Sequence, residues 1–186
     1  MRFPGPGIAT GARTGYAGSV DQTQVGERSR TFSWTDPHEY ADRLRGRSGL
    51  AALQAMIEQR RSPPVMQLLG MDGLEVEEGR VLVHLTPQEF HYNPLGTVHG
   101  GILATVLDTA AGCAVHTTLA ANEGYTSLDL TTKYLRPVTL ASGRLRCEGT
   151  VLSRGRRTAL AQARLTDPAG RLVAYATSSC LVFETT

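Results

Sequence analysis

Val98-His99-Gly100-Gly101-Ile102-Leu103-Ala104-Thr105-Val106-Leu107-Asp108-Thr109-Ala110-Ala111-Gly112-Cys113-Ala114-Val115-His116-Thr117-Thr118-Leu119 is the stretch that decides the fold. Its apolar residues recur with a helical period, which predicts one long helix over residues 98–119. On a wheel of about 100° per residue, Ile102, Leu103, Val106, Leu107, Ala110, Cys113 and Ala114 gather on the face a sheet would embrace. The opposite face holds Gly101, Ala104, Thr105, Asp108, Ala111, Gly112 and Val115. A solvated helix surface would carry Glu, Lys or Arg, whereas this one carries small residues around a single carboxylate. Such a stripe lets another backbone approach closely, so an interface is expected there. Unpaired buried charge is costly, which makes Asp108 a candidate for chemistry.

Downstream the period changes to 2. Thr126 to Leu135, Gly143 to Leu152, Thr158 to Thr166 and Leu172 to Phe183 are predicted as strands, joined by short turns at Ser153-Arg154-Gly155-Arg156 and Asp167-Pro168-Ala169-Gly170. Upstream, Leu74 to Glu78 and Val81 to Leu85 flank a turn at Glu78-Gly79. Ser48 to Arg61 is predicted as a helix capped by Ser48, with Leu50, Leu53, Ala55, Met56 and Ile57 as its apolar stripe and Pro63-Pro64 as its stop. One long helix followed by an antiparallel meander implies an α+β fold, a single sheet wrapped around that helix. Residues 1–47 are rich in Gly, Arg, Ser and Thr without apolar period, and are expected to form a flexible N-terminal extension. Phe32, Trp34 and Tyr40 are its apolar exceptions. Residues 48–186 are the expected folded domain.

Composition narrows the function. The 186 residues carry 19 basic and 17 acidic side chains, a net charge of +2. That is too little for a nucleic-acid binder working by bulk electrostatics. No run approaches the roughly 18 to 20 apolar residues of a membrane span, so no membrane partner is expected. The three cysteines, Cys113, Cys147 and Cys180, are odd in number and widely spaced. No metal site is expected from them, and reduced thiols in the cytoplasm are the default.

Just before the helix lies Asn93-Pro94-Leu95-Gly96-Thr97-Val98-His99-Gly100-Gly101. Two glycines at a helix start leave bare amides at the positive end of the helix dipole, a ready site for an oxyanion or a polarised carbonyl. His99 and Asp108 are nine residues apart, on nearly opposite helix faces and about 13 Å apart along the axis. They cannot meet in one subunit. Two such helices packed antiparallel about a twofold would bring the amide end of one to Asp108 of the other, giving a homodimer with two composite sites.

Asn93, His99-Gly100-Gly101, Asp108, Ala110 and Gly112, followed by Ser127-Leu128-Asp129-Leu130, Tyr134, Arg136 and Pro137, resemble the PaaI-like (phenylacetate-degradation type) hotdog-fold acyl-CoA thioesterase family. The resemblance covers about residues 65 to 184. It implies a hotdog fold and hydrolysis of acyl-coenzyme A thioesters by homodimers or homotetramers, with no cofactor, coenzyme A being part of the substrate. It assigns the Gly100 N–H to polarising the thioester carbonyl and Asp108 of the other subunit to the role of general base or nucleophile. Asn93 would bind the attacking water or the carbonyl region, and His99 would orient the thioester. Ser127 matches the polar position that holds water near the carboxylate, with Thr126 as the neighbouring alternative. Gly101 and Tyr134 join the substrate-binding set. Arg154, Arg156 and Arg157 around Gly155 would grip coenzyme A phosphates, as forked guanidinium groups do well. Arg136 is a second phosphate candidate.

Each assignment has a purely structural alternative. His99 and Asn93 also suit a turn, Ser127 a strand start, and the arginines a solvated hairpin tip. Asp108 could be satisfied by Thr105 or a loop amide. Two other functions share the fold, a non-catalytic acyl-CoA-binding module and an enoyl-CoA hydratase. Asp108 argues against the first, and the closely spaced Asp and His of the second are not found. No G-x-S-x-G elbow is present, which argues against an α/β-hydrolase esterase.

Overall fold

In the computed structural model, which describes residues 26–38 and 45–185, the folded chain runs α1 (Gly49–Glu58), α2 (Pro64–Leu69), β1 (Met71–Glu77), β2 (Arg80–Leu85), α3 (Gly100–His116), β3 (Glu123–Ser127), β4 (Thr131–Tyr134), β5 (Leu145–Arg154), β6 (Thr158–Thr166) and β7 (Leu172–Glu184). The chain divides into a unit spanning Met1–Thr31, described only at residues 26–31 as exposed chain without regular structure, and a unit spanning Phe32–Thr186. Most of the expected extension, Tyr40 included, lies outside the described residues. Phe32 and Trp34 stack on each other with 5.3 Å between ring centroids.

The described strands form one antiparallel seven-stranded sheet, ordered β1-β2-β5-β6-β7-β3, with β4 also pairing β7. It curls around α3, which packs against β2, β5, β6 and β7. This is the hotdog arrangement. The alternation in sequence explains the curl. β6 turns Ala159, Ala161, Ala163 and Leu165 inward, and β5 turns Leu145 and Cys147 inward, so small side chains face the helix where sheet and helix come closest. At Gly149 the two backbones touch: a Cβ there would fall 2.0 Å from the Ala110 carbonyl oxygen. From α3 come Leu103, Val106, Leu107, Ala110 and Ala114, all buried. Burial of each Leu or Val is worth about 1.5–3 kcal/mol.

Four expectations are corrected. The central helix spans Gly100–His116 rather than residues 98–119, because Val98 donates its N–H to the Val138 carbonyl at 2.8 Å and His99 keeps the extended backbone of a cap. The single strand expected over Thr126–Leu135 is two. Ser127 pairs with Cys180 and Thr131 with Thr177, so four steps on one side face three on β7, and the surplus residue bulges out. Pro64 does not merely stop α1 but opens α2, with its fixed φ suiting the first helical position. Finally, Ala111, Gly112 and Val115 are buried within the subunit. Tyr125 of β3 covers Gly112 so closely that a Cβ there would lie 2.6 Å from the Tyr125 hydroxyl. The uncovered stripe of α3 is therefore shorter than the helical wheel implies, and runs over Gly101, Ala104, Thr105 and Asp108.

Candidate active site

Asp108 stands half-buried in the middle of α3. Ser127, the last residue of β3, donates its hydroxyl to Asp108 Oδ1 at 3.2 Å. Thr105 does not serve Asp108, since its hydroxyl donates to the Gly101 carbonyl at 2.9 Å. Asp108 pairs with no Arg or Lys among the described residues. The bulge after β3 is what ends the strand at Ser127. There the Asp129 carbonyl accepts from the Ser178 hydroxyl at 2.7 Å, and the Asp129 carboxylate accepts the Ser179 N–H at 3.0 Å. Thr126, next to Ser127, pairs with Leu181 and is exposed.

Glu123, Tyr125 and Ser127 alternate along β3, so they share one face of the strand. Tyr125 packs against Gly112 and, with 5.9 Å between ring centroids, His116. Burial pushes the Cys113 thiol up to about 12, and the nearby Asp108 charge adds to this. Burial also raises Cys180 and Tyr125 from their ordinary values, again with Asp108 contributing. None of the three is a ready nucleophile or base at neutral pH. Two cavities meet at Asp108. One, of about 660 Å³, runs inward beneath α1 and α2, and the other, of about 380 Å³, lies along Ala104, Thr105 and Ser127.

The start of α3 is a second cluster. Asn93 builds the loop before it: Oδ1 accepts the N–H groups of Leu95 at 2.9 Å and Thr97 at 3.3 Å, while Nδ2 donates to the Thr97 hydroxyl at 3.1 Å. His99 caps the helix, Nδ1 accepting the Gly101 N–H at 2.9 Å. The Gly101 amide is thus engaged, while the Gly100 N–H has no partner among the described residues and stands at the positive helix end. Tyr134 donates its hydroxyl to the Gly100 carbonyl at 3.0 Å and lays its ring over Gly100. Arg136 lines the same pocket, of about 330 Å³, and donates to the Leu172 carbonyl at 3.0 Å.

The structure therefore brings Gly100, Tyr134 and Arg136 together, and separately Asp108 and Ser127. Eight residues of helix, about 12 Å, part the two clusters within one chain. The arginines of the β5–β6 hairpin also divide. Arg154 grips both carboxylate oxygens of Glu123, at 3.0 and 2.9 Å. The Ala120 N–H bond, with the Arg154 guanidinium beside it, holds the Glu123 carboxyl below its ordinary range. Arg156 and Arg157, adjacent in the turn after Gly155, are exposed.

The sequence pattern does not mark Tyr125 or the Glu123–Arg154 pair. The signal for Tyr125 was its position two residues before Ser127, on the same strand face. Among the described residues, no three His, Cys, Asp or Glu side chains stand together as a metal site, and no helix is long and apolar enough to cross a membrane.

The Thioesterase superfamily model matches residues 95–174. Human acyl-coenzyme A thioesterase 13 is 32% identical over 97 residues, which cover 52% of this chain and 68% of that protein. Among solved structures, a mutant of the phenylacetic acid degradation protein PaaI from Thermus thermophilus is 28% identical with a TM-score of 0.59, covering 64% of this chain and 98% of that one. The PaaI protein of the E. coli phenylacetic acid degradation operon has a TM-score of 0.65 at 22% identity, covering 75% of this chain and 96% of that one, a likeness of fold alone.

Proposed function

The chain belongs to the thioesterase superfamily and is a thioester hydrolase of the PaaI-like hotdog type, and from that premise we propose that it cleaves acyl-coenzyme A at sites shared between two copies of itself. The observation that carries this reading is the Asp108–Ser127 contact on the uncovered flank of α3, with an unpartnered Gly100 N–H about 12 Å away on the same helix. The two groups suit one reaction and lie too far apart to share a small substrate in one chain.

A second copy offers the remedy. β3 ends the sheet, and its outer edge presents unpaired N–H and C=O groups beside the small-residue flank of α3. An antiparallel pairing of two chains along this edge and flank would set the helix start of each against Asp108 of the other. The thioester carbonyl then accepts a hydrogen bond from the Gly100 N–H of one chain. Asp108 of the other, with Ser127 beside it, takes a proton from water as that water's oxygen bonds to the carbonyl carbon. The C–S bond breaks, the thiolate leaves and is protonated, and the free acid remains. Direct attack by Asp108 would reach the same products through a mixed anhydride that water then cleaves. A thiolate is a good leaving group, so one base and one oxyanion donor suffice.

His99 and Asn93 act on this reading by shaping the loop that holds Gly100 in place, and Tyr134 by fixing the Gly100 carbonyl. Arg156 and Arg157 meet the phosphates of coenzyme A, with Arg136 beside the helix start as a further cation. The test is thiol release from a panel of acyl-coenzyme A thioesters by the purified protein. Turnover of at least one of them supports the reading, and no turnover of any by a folded, oligomeric protein overturns it.

A further inference from the structure

Building on the acyl-coenzyme A reading above, we propose that α1 and α2 form the wall of the acyl pocket, and that Met56 and Val65 set the size of acyl group admitted. The cavity of about 660 Å³ starts at Asp108 and Thr109 and runs between α3 and these two helices. Leu53, Met56, Val65, Met66 and Leu74 form its apolar wall, Cys113 and Tyr125 stand toward β3, and Arg45, Arg47, His116 and Glu123 are polar members of its lining. Asp108 also borders the open cavity along Ala104, Thr105 and Ser127.

A thioester with its carbonyl at Asp108 has two arms to place. The polar pantetheine arm suits the open side, where a partner's helix start would approach. The apolar acyl arm suits the chamber. Its volume is that of a pocket for a substantial ligand, within about 300–1,000 Å³. Acetyl would leave most of it empty, so the fitting substrates carry a bulky apolar acyl group.

The wall is anchored rather than loosely apposed. Ser48 caps α1, the Gly49 N–H donates to the Leu119 carbonyl at 3.0 Å, and Gly49 lies so near the end of α3 that a Cβ would fall 1.7 Å from the His116 carbonyl oxygen. α2 follows directly and is stopped by Gly70 in the left-handed conformation, φ 66°. Both helices lie upstream of residue 95, where the superfamily match begins. Acyl selectivity would thus come from a segment outside the matched part, while the reacting groups lie within or beside it.

The test compares kcat/KM on acetyl-, hexanoyl- and dodecanoyl-coenzyme A for the native protein, Val65→Trp and Met56→Ala. Val65 is 46% exposed, so Trp there reaches the cavity without straining the core. The native protein is expected to favour dodecanoyl over acetyl by roughly tenfold or more. Val65→Trp should lower that ratio by about tenfold, and Met56→Ala should move the preference toward longer chains. An unchanged ratio in folded Val65→Trp protein overturns the pocket assignment, whatever Met56→Ala does to stability. Absence of hydrolysis of every thioester by the native protein strikes instead at the thioesterase reading itself.

Discussion

The Ser127 hydroxyl donates to the Asp108 carboxylate across 3.2 Å, tying the edge strand of the sheet to the middle of the central helix. The contact fixes one carboxylate oxygen of Asp108. Ser127→Ala is expected to lower kcat about fivefold to tenfold, the worth of one solvent-exposed hydrogen bond of about 1 kcal/mol, with little change in KM. Steady-state thiol release checks this. A rise in KM alone would show that Ser127 binds substrate and does not serve the reacting carboxylate.

The shared site makes a prediction about mixtures. Asp108→Asn chains and Asn93→Ala chains should each be nearly inactive as homodimers, the second because Asn93 holds the loop before Gly100. After subunit exchange, half the dimers are mixed and each carries one intact site, so activity should recover to about a quarter of the native value. No recovery after exchange confirmed by mass spectrometry would place each site within a single chain.

Arg156 and Arg157 are exposed, whereas Arg154 is held by Glu123. Replacing Arg156 and Arg157 by Ala should raise KM for coenzyme A thioesters and leave kcat largely intact. The penalty should shrink on pantetheine thioesters, which lack the nucleotide phosphates, and at high salt. Arg154→Ala should instead lower the melting temperature, since it strips Glu123 of its guanidinium. Equal losses on both substrate types for the Arg156/Arg157 variant would remove these residues from the phosphate site.

Acid stability has a definable source on β2 and β5. Arg80 donates to both Glu148 oxygens, at 3.2 and 3.3 Å, and Arg146 also bonds this carboxylate. The Arg80 hydrogen bond, foremost, holds the Glu148 carboxyl below its ordinary value of 4.5. The folded state thus binds this proton more weakly than the unfolded state does. The pair's contribution is full above about pH 4.5 and is lost as pH falls through the lower folded value. The melting-temperature gap between native and Glu148→Gln protein should narrow across that window. A constant gap would assign the effect to packing.

Much of the fold was legible because its two periods are clean. The apolar repeat around Leu107 specified α3, and the alternation over Thr158–Thr166 specified a strand, whose inward face the structure shows to be Ala159, Ala161 and Ala163. The break after Ser127 was not legible, because alternation continues through Thr126–Leu135 and the bulge is set by bonds from Asp129 to the distant Ser178 and Ser179. The helical wheel placed Asp108 on the uncovered side but could not register that Tyr125 buries Gly112. Helix α2 is not legible either, since Pro63-Pro64 marks a stop and a start equally well.

Coenzyme A release by Asp108→Asn protein tests the central claim most directly. The substitution keeps the shape of the side chain and removes its basicity. A fall in kcat of about 100-fold or more is expected, with the melting temperature and oligomeric state retained. Full activity in a folded Asp108→Asn protein would contradict the claim.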